Sequence, residues 1–158
     1  MRFRHELTYD APLPQVIAML ADRTFREEVC AYQRVLRSSV QLDGSGAGMN
    51  VVIDQVQKAR KIPSFAKKFV GEEITIVQHE RWTTDTEADL EMTIPGKPGQ
   101  MNGGITLTSS GDTTVETVDV EIKVSIPLVG SKISGLIADL MRKALAAEEA
   151  VGRDYLSR

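Results

Sequence analysis

Ser131–Arg158, SKISGLIADLMRKALAAEEAVGRDYLSR, decides the fold. Ile133, Leu136, Ile137, Leu140, Met141, Ala144, Leu145, Val151 and Tyr155 recur at the i, i+3, i+4, i+7 spacing of one helix face. Lys132, Asp139, Arg142, Lys143, Glu149, Arg153 and Asp154 fall mostly on the other face, and no proline interrupts the run. At about 1.5 Å per residue such a helix is roughly 40 Å long. It needs an apolar surface of matching length to lie on.

The chain before it supplies that surface as strands. Residues 2–10 alternate, with Phe3, His5, Leu7 and Tyr9 on one face and Arg2, Arg4, Glu6 and Thr8 on the other. Pro12 and Pro14 then stop strand pairing and suit a helix start. Leu13, Val16, Ile17 and Leu20 predict a short helix. Thr24 and Glu27 predict a capping box that opens a second one. Alternation resumes at Leu36, Val40 and Leu42, turns through the glycine-rich Asp43–Gly48, and returns along Met49, Val51 and Ile53. Further alternating runs follow: Ile74 to Trp82, Ala88 to Ile94, Met101 to Leu107, and Val118 to Ile126, which Pro127 ends. The last run predicts a strand of about 14 residues, roughly 46 Å at its extended rise. Hairpin links imply an antiparallel sheet. The expected class is therefore α+β, with about seven strands curled around the C-terminal helix and two short helices after the first strand. One domain over residues 1–158 is expected.

The composition removes several functions. The net charge of -3 leaves no electrostatic footprint for nucleic acid. The single cysteine, Cys30, cannot form an internal disulfide, which fits a reducing, cytoplasmic setting. MRFRHELTYD lacks the apolar core of a signal peptide, and no apolar run reaches the roughly 20 residues of a membrane span.

No catalytic signature stands out. Gly44, Gly46 and Gly48 do not complete G-x-G-x-x-G because position 49 is Met, and the loop leads into a strand rather than a helix. The two histidines, His5 and His79, sit in no metal-binding pattern, and no serine occupies a Gly-x-Ser-x-Gly elbow. No metal or cofactor is expected. Segment 58–70 mixes Lys58, Arg60, Lys61, Lys67 and Lys68 with Ile62, Phe65 and Phe69. It reads either as a lid over a cavity mouth that touches an anionic membrane transiently, or as a connector docked on the sheet edge.

FRHELTYDAPLPQVIAML, the paired short helices, the hairpins and VSIPLVGSKISGLIADLMRKALAAEEAVGRDYL resemble the START-like superfamily. This is the polyketide cyclase or birch-pollen-allergen group, with its helix-grip fold. IPSFAKKFVGEEITIVQHERW and the PLVG junction resemble a mainly actinobacterial branch known as a domain of unknown function. The resemblance implies a cavity between sheet and helix rather than a set of catalytic residues. Small residues on the inward helix stripe (Ala144, Ala147, Ala138) and the inward Met92, Met101 and Gly103 favour a hollow interior. They are equally compatible with close helix–sheet packing.

The expected function is binding or carriage of a hydrophobic small molecule, such as a lipid, quinone or polyketide-like compound. Its expected contacts are Met92, Ile94, Met101, Ile105, Val120, Ile122, Leu136, Leu140 and Ala144. His5 and Tyr9 are candidate polar contacts, and Trp82 either lines the pocket or fills the core. A cyclase- or aromatase-type enzyme is the alternative; among His5, Tyr9, Gln78 and Glu80, two or more would have to converge inside the cavity. A co-chaperone-like interaction module is the third reading.

Overall fold

The computed structural model describes residues 1–60 and 62–158. Lys61, part of the basic segment, lies outside the described residues. The elements are β1 (Arg2–Tyr9), α1 (Leu13–Leu20), α2 (Arg23–Tyr32), β2 (Arg37–Asp43), β3 (Asn50–Lys58) and α3 (Ser64–Val70). They continue with β4 (Glu73–Trp82), β5 (Glu87–Thr93), β6 (Gly99–Ser110), β7 (Thr113–Val124) and α4 (Gly130–Leu156). Seven strands form one antiparallel sheet in the order β1-β7-β6-β5-β4-β3-β2. The class is α+β, with a curved sheet around a long C-terminal helix.

β7 is shorter than its alternation predicts. Its ladder with β6 ends at the Gly99–Val124 pair, so Ile126 lies beyond the sheet. The 12 residues of β7 and the 27 of α4 still match in length, each about 40 Å. β6 and β7 approach closely at Gly103. A Cβ there would collide with the Asp119 carbonyl oxygen on β7, so only glycine permits this approach. Gly103 thus serves the close contact of β6 with β7.

α2 begins two residues earlier than its predicted capping box. Asp22 is the cap, and its carboxylate accepts the Thr24 amide at 2.9 Å. The same carboxylate accepts the Tyr155 hydroxyl from the end of α4. Arg158 adds a two-pronged pair to Glu28 at 3.0 and 2.9 Å, and the Phe25 and Tyr155 rings meet edge-on at 5.7 Å. β1 holds α4 from the other side: Glu149 accepts the Thr8 amide at 2.7 Å and Arg153 donates to the Thr8 carbonyl at 3.2 Å. The C-terminal half of α4 is therefore clamped between α2 and β1.

This end of the molecule is solid. Val16, Met19, Leu20 and Phe25 are buried against the sheet, each such side chain contributing roughly 1.5–3 kcal/mol. Ile17, Leu20, Met49, Trp82 and Leu107 close together and leave no room for a water molecule. Trp82 is thus a core residue. No helix among the described residues is long and apolar enough to cross a membrane.

Candidate functional site

Away from the clamp, sheet and helix part around a cavity of about 520 Å³. Sequence periodicity explains its wall. The even-numbered positions of β4, Ile74, Ile76, Gln78 and Glu80, point inward, joined by Leu90 and Met92 of β5 and Met101 and Ile105 of β6. α4 closes it with Leu136, Leu140 and Ala144, and Ala147 leaves space one turn further on.

Seven of the twelve expected contacts line this cavity: Met92, Ile94, Met101, Ile105, Leu136, Leu140 and Ala144. His5, Tyr9, Trp82, Val120 and Ile122 do not. The reason is the lie of the first and last strands. Val120 pairs with Phe3 where β1 and β7 pack directly on α4, which fills the space that parity alone would leave open. His5 stacks on Phe3 with ring centroids 6.3 Å apart. Tyr9 is fully buried beneath Gly152, whose hydrogen leaves room for the ring; a Cβ would lie 2.6 Å from Tyr9 Cε1. Ala138, offered as part of the small stripe, is buried but does not border the cavity.

The described residues of segment 58–70 border the cavity. Ile62, Ala66, Phe69 and Val70 form cavity wall, while Lys67 and Lys68 are exposed. The Lys68 ammonium rests 5.0 Å from the Phe69 ring centroid, and Lys132 of α4 lies 5.9 Å from that of Phe65. Lys58, Arg60, Lys97 and Lys143 complete a basic rim.

The inner end is different. Arg26 and Glu80, 3% and 1% exposed, form a bidentate pair at 2.8 and 3.0 Å. Arg26 Nε donates to the Leu20 carbonyl at 3.0 Å. Glu80 also accepts Gln78 Nε2 at 2.7 Å and Trp82 Nε1 at 2.9 Å. Burial alone would raise the Glu80 pKa, but Arg26 and these donors overcome it and hold the carboxyl below its ordinary value.

Glu116 of β7 and Glu148 of α4 also face this end. Each has one carboxyl oxygen, Oε2 and Oε1 respectively, buried with no hydrogen-bond partner among the described residues. The Tyr9 hydroxyl is likewise unpartnered; it lies near Glu116 without reaching hydrogen-bond geometry. Burial, then Glu148 and Glu80, pushes the Glu116 carboxyl well above its ordinary value. Burial lifts Glu148 to about 7, against the pull of Arg26 and with a further push from Glu80. Burial and the neighbouring Glu116 also raise the Tyr9 hydroxyl.

Sequence reading placed Gln78 and Glu80 on the inner face and missed Arg26, Glu116 and Glu148. Signals existed for the last two. Glu116 shares parity with Val118 and Val120, and Glu148 stands four residues after Ala144 on the inward stripe. Among the described residues, no group of three or more His, Cys, Asp or Glu is placed to hold a metal ion.

The fold recurs in solved structures. TTHA0849 from Thermus thermophilus aligns with a TM-score of 0.67 at 15% identity, over 98% of this chain and 95% of that one. A START superfamily protein from Mycobacterium smegmatis gives 0.61 at 10%, over 98% of each. Norcoclaurine synthase from Thalictrum flavum gives 0.65 at 14%, over 100% of this chain and 87% of that one. The architecture is thus the START-like helix grip. No curated protein sequence matches significantly. The model of a family described as a protein of unknown function, DUF2505, matches residues 4–156.

Proposed function

The chain belongs to the DUF2505 family, and from that premise we propose that it binds a hydrophobic small molecule between sheet and α4. The carrying observation is the cavity of about 520 Å³, a size suited to small-molecule sites, with mostly aliphatic walls. Met92 and Met101 give that wall adaptable surface. The ligand class extends to lipids, quinones and polyketide-like compounds. The test is native mass spectrometry of the purified protein, followed by titration with a naphthalene probe. Ala144→Trp, which fills the cavity from α4, should abolish binding while the protein stays folded. Equal binding by this variant would overturn the proposal.

α3 and its basic neighbours serve as the entry side. Exposed Lys67 and Lys68 would meet an anionic membrane surface while Phe69 and Val70 keep the cavity closed.

One observation supports a second reading, a cyclase-type enzyme. Gln78 and Glu80 converge at the inner end, as that reading requires. Glu80 accepts four hydrogen bonds and is a poor base. Glu148, near neutrality, is the group suited to moving a proton. A ring-closed product from a poly-β-ketone substrate, lost in Glu148→Gln, would favour the enzyme.

A further inference from the structure

We propose that the inner end of the cavity is an ammonium subsite, formed by Glu116 and Glu148, so that the bound molecule carries a protonated amine on its apolar body. The inference rests on the ligand-binding reading above and adds the chemistry of the ligand's buried end.

The cavity wall supplies the first argument. Four charged side chains meet there: Arg26 from α2, Glu80 from β4, Glu116 from β7 and Glu148 from α4. Arg26 commits both terminal nitrogens to Glu80 and its Nε to Leu20, and Glu80 is saturated by Arg26, Gln78 and Trp82. Glu80 thus has no acceptor capacity left for a ligand. Two carboxyl groups are left over, with no basic side chain hydrogen-bonded to either.

Their free atoms supply the second. Glu116 is 2% exposed, and its Oε2 has no partner among the described residues; Glu148 Oε1 is in the same state. Buried polar atoms are normally satisfied, and an orphan costs stability. The fold does not require acids here. Val118 and Val120 follow Glu116 on the same strand face, and Ala144 precedes Glu148 by one turn. A ligand that donates to these two carboxyl groups from the cavity accounts for their presence.

Ligand charge follows from what is unfilled. An anionic head would face two carboxyl groups. A hydroxyl brings one donor, whereas an ammonium brings three and a positive charge. Binding it draws the proton off Glu148 and sets charge-assisted hydrogen bonds on the carboxyl groups that border the cavity.

The experiment is calorimetric titration at pH 8 with three probes of one shape: 2-(naphthalen-2-yl)ethylamine, 2-(naphthalen-2-yl)ethanol and 2-naphthylacetate. The amine should bind about tenfold tighter than the alcohol, and the carboxylate weakest. Glu148→Gln should weaken the amine and bring amine and alcohol within about twofold. Glu116→Gln provides a second variant should the first fail to fold. Between pH 8 and 6 the wild-type preference should shrink as Glu148 takes up a proton, and it should shrink less in Glu148→Gln, where Glu116 alone titrates. Ala144→Trp should abolish all three signals, which separates cavity binding from attraction of an amine to surface acids. An alcohol that binds as tightly as the amine overturns the ammonium subsite and leaves the hydrophobic cavity standing. If none of the probes binds, both readings fail.

Discussion

Arg26 on α2 grips Glu80 on β4 through two near-parallel hydrogen bonds of 2.8 and 3.0 Å, across 54 positions of sequence and with almost no solvent contact. It ties the helical clamp to the sheet at the inner end of the cavity. Removing one member strands a buried charge, a loss of about 3–5 kcal/mol. Arg26→Met should therefore unfold at markedly lower denaturant than wild type. Arg26→Met combined with Glu80→Met should recover much of that loss. A double variant that loses as much stability as the two singles together would show that the pair has no such coupling.

Stability should fall as pH rises through neutrality. Glu148 has a folded pKa of about 7 against an ordinary 4.5, so the folded state holds a proton that the unfolded state releases. Its contribution is complete below about 4.5 and is lost as pH climbs to 7; Glu116 extends the same trend upward. Glu80 acts oppositely: its depressed pKa contributes stability above its ordinary value, lost as pH falls through the lowered folded value. Urea unfolding at pH 5 and pH 8 should show the higher midpoint at pH 5. Glu148→Gln should narrow the gap, and an unchanged gap would contradict the assignment.

Two glycines in α4 should respond with opposite sign. Gly135 has open space where a Cβ would stand, so Gly135→Ala should stabilise by about 0.5–1 kcal/mol through helix propensity. Gly152→Ala would press a methyl group against Tyr9 Cε1 at 2.6 Å and should destabilise by about 1–3 kcal/mol. Thermal melts of the two variants measure this directly.

The proposed membrane contact is read with vesicles. Wild type should sediment with phosphatidylserine-containing vesicles at low salt and less at about 0.5 M, where screening is strong. Lys67→Glu with Lys68→Glu should reduce sedimentation at least several-fold without changing the melt. Equal sedimentation of the variant would remove α3 from the contact.

Much of the fold was legible in the residues alone because each element carries its own periodicity. The α4 stripe, the alternation of β1 and β4 to β7, and the prolines at 12, 14 and 127 are local signals that act within a few residues. They determined element order, the antiparallel hairpins, and seven cavity-lining positions among the twelve expected. Parity tells which face a strand residue uses but not how far the opposite layer stands from it. Val120 and Ile122 share a face with Glu116 and Val118, yet only the latter two border the cavity. Only tertiary structure decided that distance. It alone brought Arg26, Glu80, Glu116 and Glu148 together from four separate elements, because the electrostatics of a buried cluster depends on spatial approach and excluded water, neither of which is written in neighbouring residues.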